Sequence, residues 1–185
     1  MSNIEEHNIN KEELIDIYDR VNLWINNCDS KASTILAIIG VAITIFFTND
    51  NFNKIKEIIH FSLNSISFLS ILFLTTVFAM LFYLFKAVSN ILQSLTATLD
   101  SEELDVKQLN GKSLIFYGSI SKIDSALYYK NLLEKTDLKN DLISQIMINS
   151  KICTKKFYFY NLGLQNLKRC LFFTTITFLV YICYP

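Results

Sequence analysis

The chain has 185 residues, 51% hydrophobic and 14% aromatic, and its 17 basic side chains balance 17 acidic ones. A zero net charge removes the simplest basis for binding a nucleic-acid polymer, which needs a basic surplus. Four glycines and one proline are too few for a turn-rich sandwich or barrel and point to long helices.

Residues 1–31 are polar and charge-rich, with neither the basic stretch nor the small-residue cleavage site of a secretory signal, so the first apolar run is expected to stay as an anchor. Within them Leu14, Tyr18, Val21, Ile25 and Cys28 lead into Ala32 at steps of three and four. That spacing is the stripe of an amphipathic cytosolic helix. Residues 32–48 carry no charge and are predicted as the first transmembrane helix, residues 49–60 as an external loop, and the uncharged residues 61–85 as the second transmembrane helix. The hydroxyls of Ser62, Ser65, Ser67, Ser70, Thr75, Thr76, Thr174, Thr175 and Thr177 are expected to pack the helices through interhelical hydrogen bonds.

Residues 86–170 form the predicted cytosolic helical lobe. Val88, Ile91, Leu92, Leu95 and Leu99 continue the second span's rhythm, and Leu142, Ile146, Cys153, Phe157, Tyr160, Leu164, Leu167 and Leu171 form a later stripe interrupted at Asn149. Gly163 is the single breaker candidate in that stripe. Between these helices, Ser101 reads as a helix start and Asn110-Gly111 as a turn. Ser113 to Ser121 reads as a short strand or an extended loop with free backbone N–H groups. A helix over 124–135 is expected to turn Ile123, Ala126, Leu127 and Tyr128 inward. Residues 171–185 are a third membrane segment, too short for an ordinary crossing. A re-entrant segment, a thin crossing and a helix that pinches the bilayer all fit it. The fold class is therefore an all-α membrane protein with two N-terminal transmembrane helices, a short third and a cytosolic lobe continuing them.

The loop 49–60 holds two lysines, whereas 86–169 holds twelve basic residues, so the N-terminus and the lobe are assigned to the cytosol. Residues 1–31 carry a net −4 and 86–169 a net +4, which favours their packing. The cysteines, Cys28, Cys153, Cys170 and Cys183, form no Cys-x-x-Cys pair and read as small buried hydrophobes. No phosphate loop, nucleophile elbow or metalloprotease motif is present, and the spans hold no ionisable group. Neither an enzyme, a metal site nor an ion-coupled transporter is expected.

The passage Trp24-Ile-Asn-Asn-Cys-Asp-Ser-Lys-Ala-Ser, running into the first span, resembles the Asp-x-Lys-Ala-Ser entry of the Pycsar transmembrane effectors. Phe116-Tyr-Gly-Ser-Ile and Asp141-Leu-Ile-Ser-Gln-Ile, followed by Ser150-Lys-Ile and Lys155-Lys-Phe, are similar to that family's cytosolic signature. The resemblance implies an antiphage, abortive-infection effector of the bacterial inner membrane, activated by cyclic UMP or cyclic CMP from a cognate pyrimidine cyclase. It also implies the lipid bilayer as a partner and a homo-oligomer as the acting form. Such a ligand needs a cation, backbone N–H groups and an aromatic face. Phe116, Tyr117, Gly118, Ser119 and Lys122 hold that set in one segment and are the candidate ligand contacts. Asp29 and Lys31 are the candidate coupling residues between lobe and spans. The competing reading is a constitutive membrane-anchored scaffold, which would be harmless with or without nucleotide.

Overall fold

In a computed structural model, the described residues are 10–46, 48, 53, 56–57, 59–60, 67–98 and 113–182. The expected helix start at Ser101, the turn at Asn110-Gly111, Leu99, the start of the second apolar run and the last three residues lie outside them. The helices are α1 (Lys11–Phe46), α2 (Phe68–Thr96), the one-turn α3 (Tyr117–Ile120), α4 (Ala126–Lys135) and α5 (Leu138–Ile182). No strand occurs among the described residues. Within the expected external loop, Asn53, Lys56, Glu57, Ile59 and His60 are helical.

Each longer helix starts where a side chain satisfies an orphan backbone group. Glu13 Oε2 accepts from the Asn10 N–H at the head of α1, the reach-back half of a capping box. Ser67 Oγ accepts from the Ser70 N–H below α2, Ser125 Oγ from Tyr128 below α4, and Asp137 Oδ1 from Lys139 below α5.

Length then carries two of these helices past any bilayer. At about 1.5 Å per residue, α1 with 36 residues runs roughly 54 Å and α5 with 45 roughly 68 Å, against about 30 Å of hydrocarbon. By length and composition α1 and α2 are able to cross a membrane. Leu171 to Ile182 continues α5 as unbroken helix.

The chain divides into two units. The first comprises Met1–Asn27 and Ala97–Lys155. Here Leu14, Leu114 and Leu142 are buried, and Asn149 Nδ2 donates to Asn22 Oδ1 at 2.8 Å. The interruption in the α5 stripe is thus a polar pairing with α1. In α4 the expected inner face is corrected: Ala126, Leu127 and Tyr128 are exposed, and Tyr129 turns inward. Its hydroxyl donates to the Leu114 carbonyl at 2.7 Å, which sets the rotation of the helix.

The second unit comprises Cys28–Thr96 and Lys156–Pro185. Its core is Ala32, Ile39 and Ile91, covered by Ile35, Leu36, Leu84, Val88, Leu95, Tyr160 and Leu167 from α1, α2 and α5. The glycine at position 163 is a contact residue. A Cβ there would lie 2.5 Å from Ile91 Cγ1 and 3.3 Å from the Ala87 carbonyl oxygen, so only glycine lets α5 approach α2 this closely. The buried positions include Ser70, Thr76, Ser94, Lys156 and Asn166, while Phe68, Phe78, Phe85, Leu171 and Phe178 are exposed. Polar side chains buried beside an apolar core, with large apolar and aromatic ones exposed, suit a hydrocarbon surround.

The threonine hydroxyls correct one expectation. Those of Thr75, Thr174, Thr175 and Thr177 donate to the carbonyl four residues back in their own helix, and Thr76 to the one three back. With no water to satisfy it, a hydroxyl in an apolar surround takes the nearest carbonyl, which is local.

Candidate functional site

Asp29 leads to the most polar point of the second unit. Lys156, buried on α5, places its ammonium 2.7 Å from Asp29 Oδ1 on α1. The same Nζ donates to the Ser94 carbonyl at 3.1 Å and the Leu95 carbonyl at 3.0 Å. An ammonium has three donors and no acceptor, and all three are used.

The two carbonyls belong to the last turn of α2, which ends at Thr96. No basic residue of α2 itself serves that turn. Lys156 therefore caps α2 from a neighbouring helix, placing positive charge where the helix dipole is negative. Ser94 closes the loop by donating from Oγ to the Lys156 carbonyl at 2.9 Å, and Cys28 Sγ lies 3.6 Å from Ser94 Oγ. Cys28, Ser94 and Lys156 are all buried, and the centre joins three helices by hydrogen bonds. Lys31, the other candidate coupling residue, is exposed.

Sequence reasoning found Asp29 and missed Lys156 and Ser94. A signal exists: Leu142, Asn149, Lys156, Gly163 and Cys170 recur at every seventh position, all on the inner side of α5. A search restricted to apolar residues steps over Asn149, Lys156 and Gly163, and so follows a neighbouring line that ends on the exposed Leu171.

In the first unit, the segment expected as a strand or extended loop is a tight turn leading into α3. Ser113 Oγ accepts from the N–H groups of Ile115 and Phe116, and Asp141 Oδ2 accepts from the Leu114 N–H at 2.7 Å. The N–H groups of Ser119, Ile120, Lys122 and Ile123 are also engaged, by carbonyls three or four residues back. The free N–H groups expected here are thus largely taken up locally. Gly118 lies beneath the Phe116 ring, since a Cβ on it would be 2.6 Å from Phe116 Cε1. Ser119 is half-buried and Lys122 exposed. Tyr117 opens α3. Among the described residues, no cluster of three or more His, Cys, Asp and Glu could hold a metal ion.

Residues 13–184 match the Pycsar effector protein domain. The chain belongs to that family. It is 32% identical over 181 residues to the Pycsar effector protein GmPycTM of Gulbenkiania mobilis, covering 92% of this chain and 90% of that one. No solved structure matches. The two spanning-length helices of this Pycsar effector agree with a membrane location, and the matched region contains both the Lys156 centre and the turn at Ser113–Ile123.

Proposed function

We propose that this protein is the membrane effector of a bacterial antiphage abortive-infection system. Cyclic UMP or cyclic CMP, made by a cognate pyrimidine cyclase, activates it, and it then impairs the inner membrane and kills the infected cell. The N-terminus and the 86–170 lobe face the cytosol, where the nucleotide is made, and the acting form is a homo-oligomer. Phe116, Tyr117, Gly118, Ser119 and Lys122 are its candidate nucleotide contacts, and Asp29, with Lys31, couples the ligand to the spans.

The observation that carries this reading is the family match over residues 13–184. The Lys156 centre supports the switching step. A ligand shifts a protein only by binding one arrangement better than another, and such a switch needs helices with discrete arrangements. One ammonium on α5 bonded at once to α1 and to the end of α2 ties the three helices in one such arrangement.

The test is leakage from dye-loaded liposomes holding the purified protein, with cyclic UMP, cyclic CMP, cyclic AMP and cyclic GMP added separately. Leakage with a pyrimidine nucleotide and not with the purines is expected. Silence with all four, from folded and inserted protein, would overturn the reading and favour the scaffold.

A further inference from the structure

At the end of the apolar part of α2, a cleft of about 500 Å³ opens between α2 and α5 within the second unit. Its wall includes Phe82, Tyr83, Lys86, Ser89, Asn90 and Arg169, and among the described residues no carboxylate lines it. Lys86 directly follows the uncharged run of α2, and Arg169 directly precedes that of α5, so both cations lie where apolar helix gives way to polar.

Both are held by aromatic faces. Lys86 Nζ lies 5.2 Å from the Phe82 ring centroid, and Arg169 Cζ lies 5.7 Å from that of Tyr83. Tyr83 is fixed in turn by stacking on Phe173, with centroids 5.5 Å apart and planes within 8°. The buried Asn166 accepts from one guanidinium nitrogen, Nη1, at 3.5 Å. Among the described residues neither cation is paired with a carboxylate. Ser89 and Asn90 add neutral hydrogen-bonding groups, and Leu162 and Phe85 make part of the wall apolar.

We infer that this cleft is a binding site for a phosphodiester anion carrying an apolar or aromatic substituent. A guanidinium fork and an ammonium, unopposed by acid, match the phosphate oxygens. The ring faces and the apolar wall match the substituent. Two sources share that chemistry. One is the headgroup phosphate of an anionic phospholipid, at the depth where headgroups lie. The other is a free cyclic mononucleotide, itself a phosphodiester, held here in place of the segment Phe116–Lys122; that source rests on the proposed activation by such a nucleotide, whereas the lipid source does not.

The test uses the full chain in nanodiscs of phosphatidylcholine, or of phosphatidylcholine with phosphatidylglycerol. Retained phosphatidylglycerol is read by native mass spectrometry, and cyclic UMP and cyclic CMP binding by calorimetry. The variants are Lys86→Gln/Arg169→Gln and, as a control of like charge, Lys168→Gln, whose side chain is exposed and does not line the cleft. The double variant is expected to lose about tenfold in affinity for one ligand class, as loss of charged hydrogen bonds implies, and Lys168→Gln to lose none. Loss of lipid alone assigns the site to the headgroup, and loss of nucleotide alone to the messenger. If the wild type binds no nucleotide, the proposed function fails while the lipid arm still decides the site. An unchanged double variant of wild-type helicity, or an equal loss in Lys168→Gln, would overturn the inference.

Discussion

Lys156 and Asp29 are 127 positions apart in the chain and meet at 2.7 Å, with the lysine buried and the aspartate side chain 37% exposed. The asymmetry decides what each contributes. Asp29 can reach water without its partner, whereas the buried Lys156 depends on the groups around it.

Lys156→Met is therefore expected to destabilise the protein by about 2–4 kcal/mol, because it leaves two last-turn carbonyls of α2 without a donor. Asp29→Asn, which keeps an acceptor and removes the charge, is expected to cost about 1–2 kcal/mol. Unfolding of the detergent-solubilised protein followed by circular dichroism tests the order. An Asp29→Asn variant costing more than Lys156→Met would contradict the capping role.

Gly163→Ala is expected to cost about 1–3 kcal/mol by overpacking, since the added methyl meets Ile91 and the Ala87 carbonyl. Helix propensity alone predicts the opposite sign, a gain of about 1 kcal/mol. Ile91→Ala, which removes the Cγ1 that the methyl meets, should cost less in the Gly163→Ala background than in the wild type. The unfolding midpoints of these variants separate packing from propensity.

Tyr129→Phe removes the hydroxyl that donates to the Leu114 carbonyl and is expected to cost about 1 kcal/mol. Its main effect should be local, with faster amide hydrogen exchange across residues 113–123. Asp141→Asn should speed exchange at Leu114 itself, whose N–H the carboxylate accepts. Unaltered exchange in both variants would mean that something else holds this turn.

The Asn22–Asn149 pair predicts a sign reversal. Asn149→Leu alone strands a partly buried amide and should cost about 1 kcal/mol or more. Asn22→Leu with Asn149→Leu should be near neutral or stabilising, as two apolar groups replace a satisfied polar pair. A double-mutant cycle on thermal midpoints measures the coupling.

Removing Leu171 to Pro185 takes away the Phe173 partner of Tyr83 and the buried Val180. If this short segment thins the bilayer on activation, the truncated protein should insert normally and be harmless when expressed with a pyrimidine cyclase. Toxicity equal to wild type would exclude the segment from the lesion.

The all-α class, the long helices and the two apolar runs able to cross a membrane were legible in the sequence, because hydropathy and helical period are local properties. So was the inward line Leu14–Cys28–Ala32 on α1. What escaped it are the places where a residue's role depends on a partner far along the chain. Gly163 looks like a weak point in a helix until Ile91 is seen against it. Lys156 looks like one solvated lysine of a pair until Asp29 and the end of α2 close around it. The segment 113–121 has a strand-like composition, but Ser113, Asp141 and Tyr129 satisfy it as a turn. Periodicity decides which face of a helix is apolar. Only the tertiary structure decides where a buried charge finds its three acceptors, because a helix leaves its last carbonyls unbonded and another part of the chain must supply their donor.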